Sequence, residues 1–260
     1  MDVLGCVCPH PPLLVPEVGG VNRMRVQATV DAMEELGAEI GTPDLVVIVS
    51  PHTPGTVDTF FVKTAARLAG DLGKFGCPDV RLEYDNDVAF VDRLLELAGQ
   101  QGVALDAVDD GHLDHGIMVP MSFIEARRLV SLSVVGAYAA HRRLGALVRR
   151  CAEEQESRVV FVASGDLSHR LTMDGPYGFD PRGPVFDERV AELLRRGDFG
   201  DLEGIDADVV QGAGECGLRS LLALGAFLGE DSTRDARLFS YEGPFGVGYL
   251  VAGFGRGEAA

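Results

Sequence analysis

Positive charge is scarce in this 260-residue chain: 23 Lys and Arg stand against 40 Asp and Glu, a formal net charge of −17. Neutralising a phosphate backbone takes clustered Lys and Arg, so the balance excludes nucleic acid as a partner, and an anionic membrane surface with it. Long apolar runs are missing as well, since none approaches the roughly 20 residues that span a bilayer. The opening Met1-Asp2-Val3 has no basic segment ahead of its apolar stretch, unlike a signal peptide. Cysteines are odd in number and scattered (Cys6, Cys8, Cys77, Cys151 and Cys216), which argues against a disulfide framework. Cys6-Val7-Cys8 also has the wrong spacing for a zinc knuckle, and no second pair completes one. A cytoplasmic protein is expected.

Two catalytic signatures are absent, the P-loop lysine motif and the Gly-x-Ser-x-Gly elbow of α/β hydrolases. Gly212-x-Gly214-x-x-Gly217 matches the dinucleotide fingerprint, but only Val209-Val210 precede it and the next strand comes late. A fingerprint without its strand and βαβ unit carries little weight.

What is present is an ordinary globular composition, 46% apolar and 24% charged, in a chain long enough to bury a large core unaided. Val3 to Cys8, Leu45 to Val49 and Val159 to Ala163 are short, continuous apolar runs of the kind buried on both faces of a parallel sheet. Val57 to Val62 and Leu129 to Val135 read as further strands. Helical spacing runs over Val21 to Ile40, Asp87 to Ala98, Arg142 to Glu154, Val185 to Arg195 and Leu218 to Leu228. Arg237 to Tyr241 and Val247 to Phe254 close the chain as an antiparallel pair across the turn between them. The alternation predicts an α/β fold in one domain over 1–260. Its central sheet is mixed but largely parallel, with helices on both faces and the functional site at the strand ends.

The six histidines are placed informatively. His10 follows the first buried strand in Pro9-His10-Pro11, His52 follows the second in Pro51-His52-Thr53-Pro54, and His169 follows the third in Gly165-Asp166-Leu167-Ser168-His169. His115 lies in the loop Leu113-Asp114-His115-Gly116, with His112 three residues earlier, while His141 opens a helix and looks ordinary. Open α/β sheets bind ligands beyond the carboxyl ends of their strands, so three such histidines point into one region. Flanking prolines restrict the backbone at His10 and His52, as a metal ligand requires. Two imidazoles and one carboxylate on a face suit non-haem iron(II). Glu215, in the glycine-rich turn before the last helix, is the candidate carboxylate, and its neighbour Cys216 is a competing soft ligand. The ordinary alternatives are a helix-start acid for Glu215 and a small buried hydrophobe for Cys216.

Pro9-His10-Pro11-Pro12-Leu13-Leu14, Ser50-Pro51-His52, Asp114-His115-Gly116 and Ser164-Gly165-Asp166-Leu167-Ser168-His169 together resemble the type III extradiol ring-cleaving dioxygenases. This is the superfamily of the protocatechuate 4,5-dioxygenase catalytic subunit. The likeness runs from about residue 3 to about residue 254 with the motifs in order. It implies iron(II) held by His10, His52 and Glu215, His169 as acid/base, and His115 lining the site. It also implies a catechol-like aromatic diol and dioxygen as substrates, and a homo-oligomer or a pairing with a small second subunit. Zinc or another divalent ion can take such a site. Cys216-Gly217 also looks like the ligand motif of the Memo-type branch, which has a cysteine at the metal. A metal-binding or partner-binding protein without ring cleavage is therefore the alternative expectation.

Overall fold

A computed structural model describes residues 2–53, 55–232 and 235–256. Ten strands form one mixed sheet: β1 (Asp2–Cys8), β2 (Leu45–Val49), β3 (Phe60–Lys63), β4 (Arg67–Leu72), β5 (Cys77–Asn86), β6 (Leu105–Val108), β7 (Arg128–Leu132), β8 (Val159–Ser164), β9 (Asp235–Glu242) and β10 (Tyr249–Arg256). The helices are α1 (Pro16–Gly19), α2 (Gln27–Ile40), α3 (Val88–Gln101), α4 (His115–Met121), α5 (Tyr138–Glu153), α6 (Arg182–Arg195), α7 (Ala207–Ala213) and α8 (Leu218–Ser232).

The sheet order is β4-β5-β7-β2-β8-β1-β10-β9, with β3 joined to β7 and β6. Every residue of β2 and β8 is buried, as their β-branched runs require. Both faces are covered by apolar clusters, one built on α3, α5, α6 and α8, the other on α2 and α4. β2, β8 and β1 pair in parallel and lie side by side, so their carboxyl ends open along one edge. Those ends carry His52, His169 and His10.

The expected α/β architecture is therefore present, including the antiparallel β9–β10 pair. Some elements differ from the reading. The expected helix over Val21 to Ile40 begins only at Gln27; residues 20–26 form 3-10 turns with Val21 and Met24 exposed, so helical spacing there had no face to bury. The β4–β5 hairpin was not anticipated, because β5 alternates charged and half-buried residues away from the main core. The strand expected over Val57 to Val62 is shifted to Phe60–Lys63. The last helix breaks at Gly229, whose φ of 69° no other residue adopts cheaply, one residue beyond the expected end at Leu228. Among the described residues, no helix is long and apolar enough to cross a membrane.

Candidate metal centre

Three of the histidines singled out from the sequence converge. Ring nitrogens of His10, His52 and His115 lie within 4.8 Å of one another. His10 sits two residues beyond β1 and is buried; His52 follows β2 and is exposed; His115 opens α4 and is half-buried. The His52 and His115 rings stand 4.0 Å apart between centroids, and the His10 ring meets both edge-on.

The supporting hydrogen bonds fix how His10 is protonated. The Ser164 hydroxyl, at the end of β8, donates its single proton to the Gly116 carbonyl. It can therefore only accept from His10 Nδ1, 2.9 Å away. The proton is then on Nδ1, and the lone pair of His10 Nε2 faces His52 Nε2 at 3.1 Å. Burial first, and then the neighbouring His52, push His10 down to about 3; the same causes push His115 down to about 4. Both rings are neutral near pH 7, the form that binds metal.

Polar side chains hold the loops around this cluster. Asp114 accepts from the Ser50 hydroxyl at 2.8 Å and from Thr53 Oγ1 at 2.7 Å, bracketing His52 and tying the loop after β2 to the start of α4. Asp166 accepts from the His10 backbone N–H at 2.9 Å, and burial raises its pKa. Asp166, Ser164 and Asp114 thus support the histidines from positions next to them in the chain or across the strand ends. Their only sequence signal was adjacency to the histidine motifs.

Glu215 does not join the three imidazoles. Its Oε2 accepts from Leu218 N at 2.6 Å, capping the first turn of α8, and its Oε1 is 3.8 Å from Arg219. Cys216 is the residue of this segment that faces the cluster: its Sγ lies 3.7 Å from His10 Nε2 and accepts from Asp166 N at 3.2 Å. The approach depends on two glycines. A Cβ on Gly165 would stand 2.3 Å from Gly217 Cα, so only glycine lets the β8 loop cross the start of α8 so closely.

His169 stands beyond the cluster, near enough for its charge to act on both His10 and Asp166. Its ring packs edge-on against Tyr177 at 5.6 Å, and its Nδ1 is buried with no hydrogen-bond partner among the described residues. The loop beneath it is anchored: His169 N donates to Ala213 O, and Ser168 N donates to Asp187 Oδ1 at 2.7 Å. Asp187, fully buried on α6, also accepts from Tyr241 on β9 at 2.7 Å. By contrast His141 is structural, its Nδ1 donating to Ala137 O and its Nε2 accepting from Val135 N.

Asp187 provides a pH test of this anchor. Burial lifts its carboxyl from the ordinary 3.8 to about 7, against the hydrogen bonds from Ser168 and Tyr241 and with a smaller upward push from Glu215. The folded state therefore holds the proton more tightly than the unfolded one. Stability from this group is fully present below about pH 4 and is lost as pH rises toward 7. Asp187→Asn keeps an acceptor for Ser168 N–H and offers its amide to the Tyr241 oxygen. In urea unfolding at pH 4 to 8, this variant is expected to gain on the native protein with rising pH, by on the order of a few kcal/mol. Parallel stability curves would contradict the assignment.

The donor set fits a divalent transition-metal ion. Two ring nitrogens 3.1 Å apart, at least one with a bare lone pair, have the spacing of adjacent ligands on an ion with bonds of about 2.1 Å. A third imidazole and a thiol nearby suit the borderline ions.

A mixed α/β sheet with imidazoles clustered at its strand ends defines a candidate metal-site protein. The family described as the catalytic LigB subunit of aromatic ring-opening dioxygenase matches residues 4–252, and the chain belongs to it. Protein CA_C1420 of Clostridium acetobutylicum is 36% identical over 259 residues, covering 94% of this chain and 55% of that protein. A 2,3-dihydroxyphenylpropionate/2,3-dihydroxicinnamic acid 1,2-dioxygenase of a Rhodococcus species is 30% identical, covering 75% of this chain and 62% of that enzyme. The chain thus spans between half and two thirds of the length of these two relatives. The 3,4-dihydroxyphenylacetate 2,3-dioxygenase of Escherichia coli is 26% identical, covering 73% of this chain and 75% of that enzyme. The fold is shared with the crystal structure of the uncharacterized protein JW3007 from Escherichia coli K12. That match has a TM-score of 0.67 at 21% identity and covers 97% of this chain and 99% of that one.

Proposed function

We propose that this chain is a non-haem iron(II) dioxygenase that opens a catechol-like aromatic ring. The observation that carries the reading is the convergence of His10, His52 and His115 at the strand ends of a LigB-family fold. His10 and His52 are assigned as ligands through Nε2, with the third position supplied from the Glu215-Cys216 segment. An iron(II) ion held by these residues would supply proximity and electron transfer for the diol and dioxygen at one point.

The protein's own groups handle protons and orientation. His169 is assigned as the acid/base that takes the proton of a ring hydroxyl and returns it later. His115, whose ring packs against His52, is assigned to orient the reacting oxygens. Asp114 and Asp166 hold the ligand loops and are not assigned a proton to transfer.

One observation favours a second reading. Cys216 Sγ faces His10 while Glu215 is engaged at the start of α8. A thiol in the third position suits a metal-binding protein of the same fold without ring cleavage. Anaerobic loading with iron(II), followed by dioxygen uptake across a panel of vicinal diols, separates the two. Uptake matched to diol consumed supports the enzyme. One ion bound per chain with no uptake for any diol supports the alternative.

A further inference from the structure

Of the three clustered imidazoles, His115 is held differently from the other two. The His10 ring is fixed by Ser164 through Nδ1, and His52 Nε2 lies 3.1 Å from His10 Nε2. Neither ring nitrogen of His115 has a hydrogen-bond partner among the described residues. Its ring is bounded by other rings instead. The His52 ring lies 4.0 Å from it with a tilt of 38°, and the His10 ring meets it edge-on at 5.5 Å. The third neighbour is Phe75, at 5.3 Å with the two planes 64° apart.

Phe75 reaches His115 because the β4–β5 hairpin is laid against the segment that precedes α4. Gly73-Lys74-Phe75 form a single 3-10 turn between the two strands, and Gly76 closes it at a φ of 84°, donating to Gly73 O at 2.9 Å. On β4, Ala69 N donates to Gly111 O at 2.7 Å, and Ala69 O accepts from Leu113 N at 2.9 Å, two residues before His115. Just past the turn, Cys77 Sγ donates to Glu17 O in α1 at 3.2 Å. The hairpin therefore fixes the backbone leading to His115 and presents an aromatic ring to its side chain. A lone exposed phenylalanine is ordinary in itself. Phe75, however, is 39% exposed and belongs to neither apolar cluster, so core packing does not account for its contact with an imidazole.

We infer that Phe75 is the positioning residue of His115: its ring orients the imidazole by packing alone and so leaves both ring nitrogens for a bound species. A hydrogen bond would also orient an imidazole, but it would occupy one nitrogen and fix the tautomer, as Ser164 does for His10. Edge-to-face contact between aromatic rings has a preferred geometry and uses no polar atom. A neutral imidazole held this way can donate from one nitrogen and accept at the other, with the choice set by the ligand. What the inference says of turnover rests on the ring-opening reading; what it says of the His115 ring does not.

The test compares Phe75→Leu, which keeps apolar bulk without a ring, with Phe75→Tyr, which keeps the ring. The zinc-loaded chain is studied first, by long-range proton–nitrogen correlation spectra of histidine-labelled protein. The His115 signals are identified by their loss in His115→Gln, and those of His141 serve as a control. Phe75→Leu is expected to shift and broaden the His115 ring signals, Phe75→Tyr to restore them, and both variants to bind zinc stoichiometrically. In the iron(II)-loaded chain, dioxygen uptake with a vicinal diol is expected to lose kcat by about tenfold or more in Phe75→Leu, because misplacing an orienting group acts on the reacting geometry. KM should change little, and Phe75→Tyr should recover the rate. Unchanged His115 signals in Phe75→Leu overturn the inference. So does an equal loss in both variants, or loss of zinc from both, which would make Phe75 a prop of the hairpin or of the whole centre. Moved signals with kcat unchanged overturn the positioning role as well. If the native iron-loaded chain consumes no dioxygen with any diol, the ring-opening reading fails, and the ring spectra alone decide the role of Phe75.

Discussion

His10→Ala and His52→Ala are each expected to abolish stoichiometric binding of a divalent ion, with an affinity loss of at least about 100-fold, while the fold survives. Changing groups that merely support a ligand costs 10- to 100-fold in affinity, so removing the ligand itself costs more. Both residues lie in loops beyond β1 and β2 rather than within the strands, and neither contributes an apolar side chain to the clusters that flank the sheet. In His10→Ala, Ser164 keeps its bond to Gly116 O and loses only a donor to its oxygen, a loss of about 1 kcal/mol. Metal content after dialysis against a defined zinc or iron(II) buffer, together with thermal unfolding, checks both halves of the expectation. Full metal retention in both variants would remove the site.

His169→Ala is expected to keep metal and diol binding and to lose ring cleavage by on the order of 100-fold or more. A base acts only within hydrogen-bond reach of the proton it takes, and His169 lies close enough to His10 and Asp166 to act on both electrostatically. Its backbone is held independently of its ring, through His169 N to Ala213 O and Ser168 N to Asp187, so removing the imidazole leaves the loop anchored. Single-turnover measurement on the iron-loaded variant isolates the chemical step from binding. Turnover equal to that of the native protein would assign the proton to another group.

The sequence made the scaffold of this centre legible, and the reason is physical. A strand buried on both faces shows itself as a β-branched run, and the residue just past it is placed by that run alone. His10, His52 and His169 were legible for this reason. His115 was legible as a motif, but its packing against His52 depends on where α4 starts, a tertiary matter. The choice between Glu215 and Cys216 was out of reach because adjacent residues at a helix start point in different directions. The crossing of Gly165 over Gly217 decides which one meets His10. Asp187 carried no signal either: it lies within an ordinary amphipathic helix, and its partners come from sequence positions 19 and 54 residues away.

The order β2-β8-β1 has a consequence for how the molecule is made. β1 leaves the ribosome before its sheet neighbours β8 and β10, whose residues follow by some 150 and 250 positions. Until β8 emerges, β1 has neither of these neighbours, and the His10 backbone lacks Asp166, which lies 156 residues downstream. Such high contact order makes folding slow and leaves an apolar strand waiting during synthesis. The imidazole cluster is therefore complete only once the central sheet has closed, and an ion held there would bind after that closing.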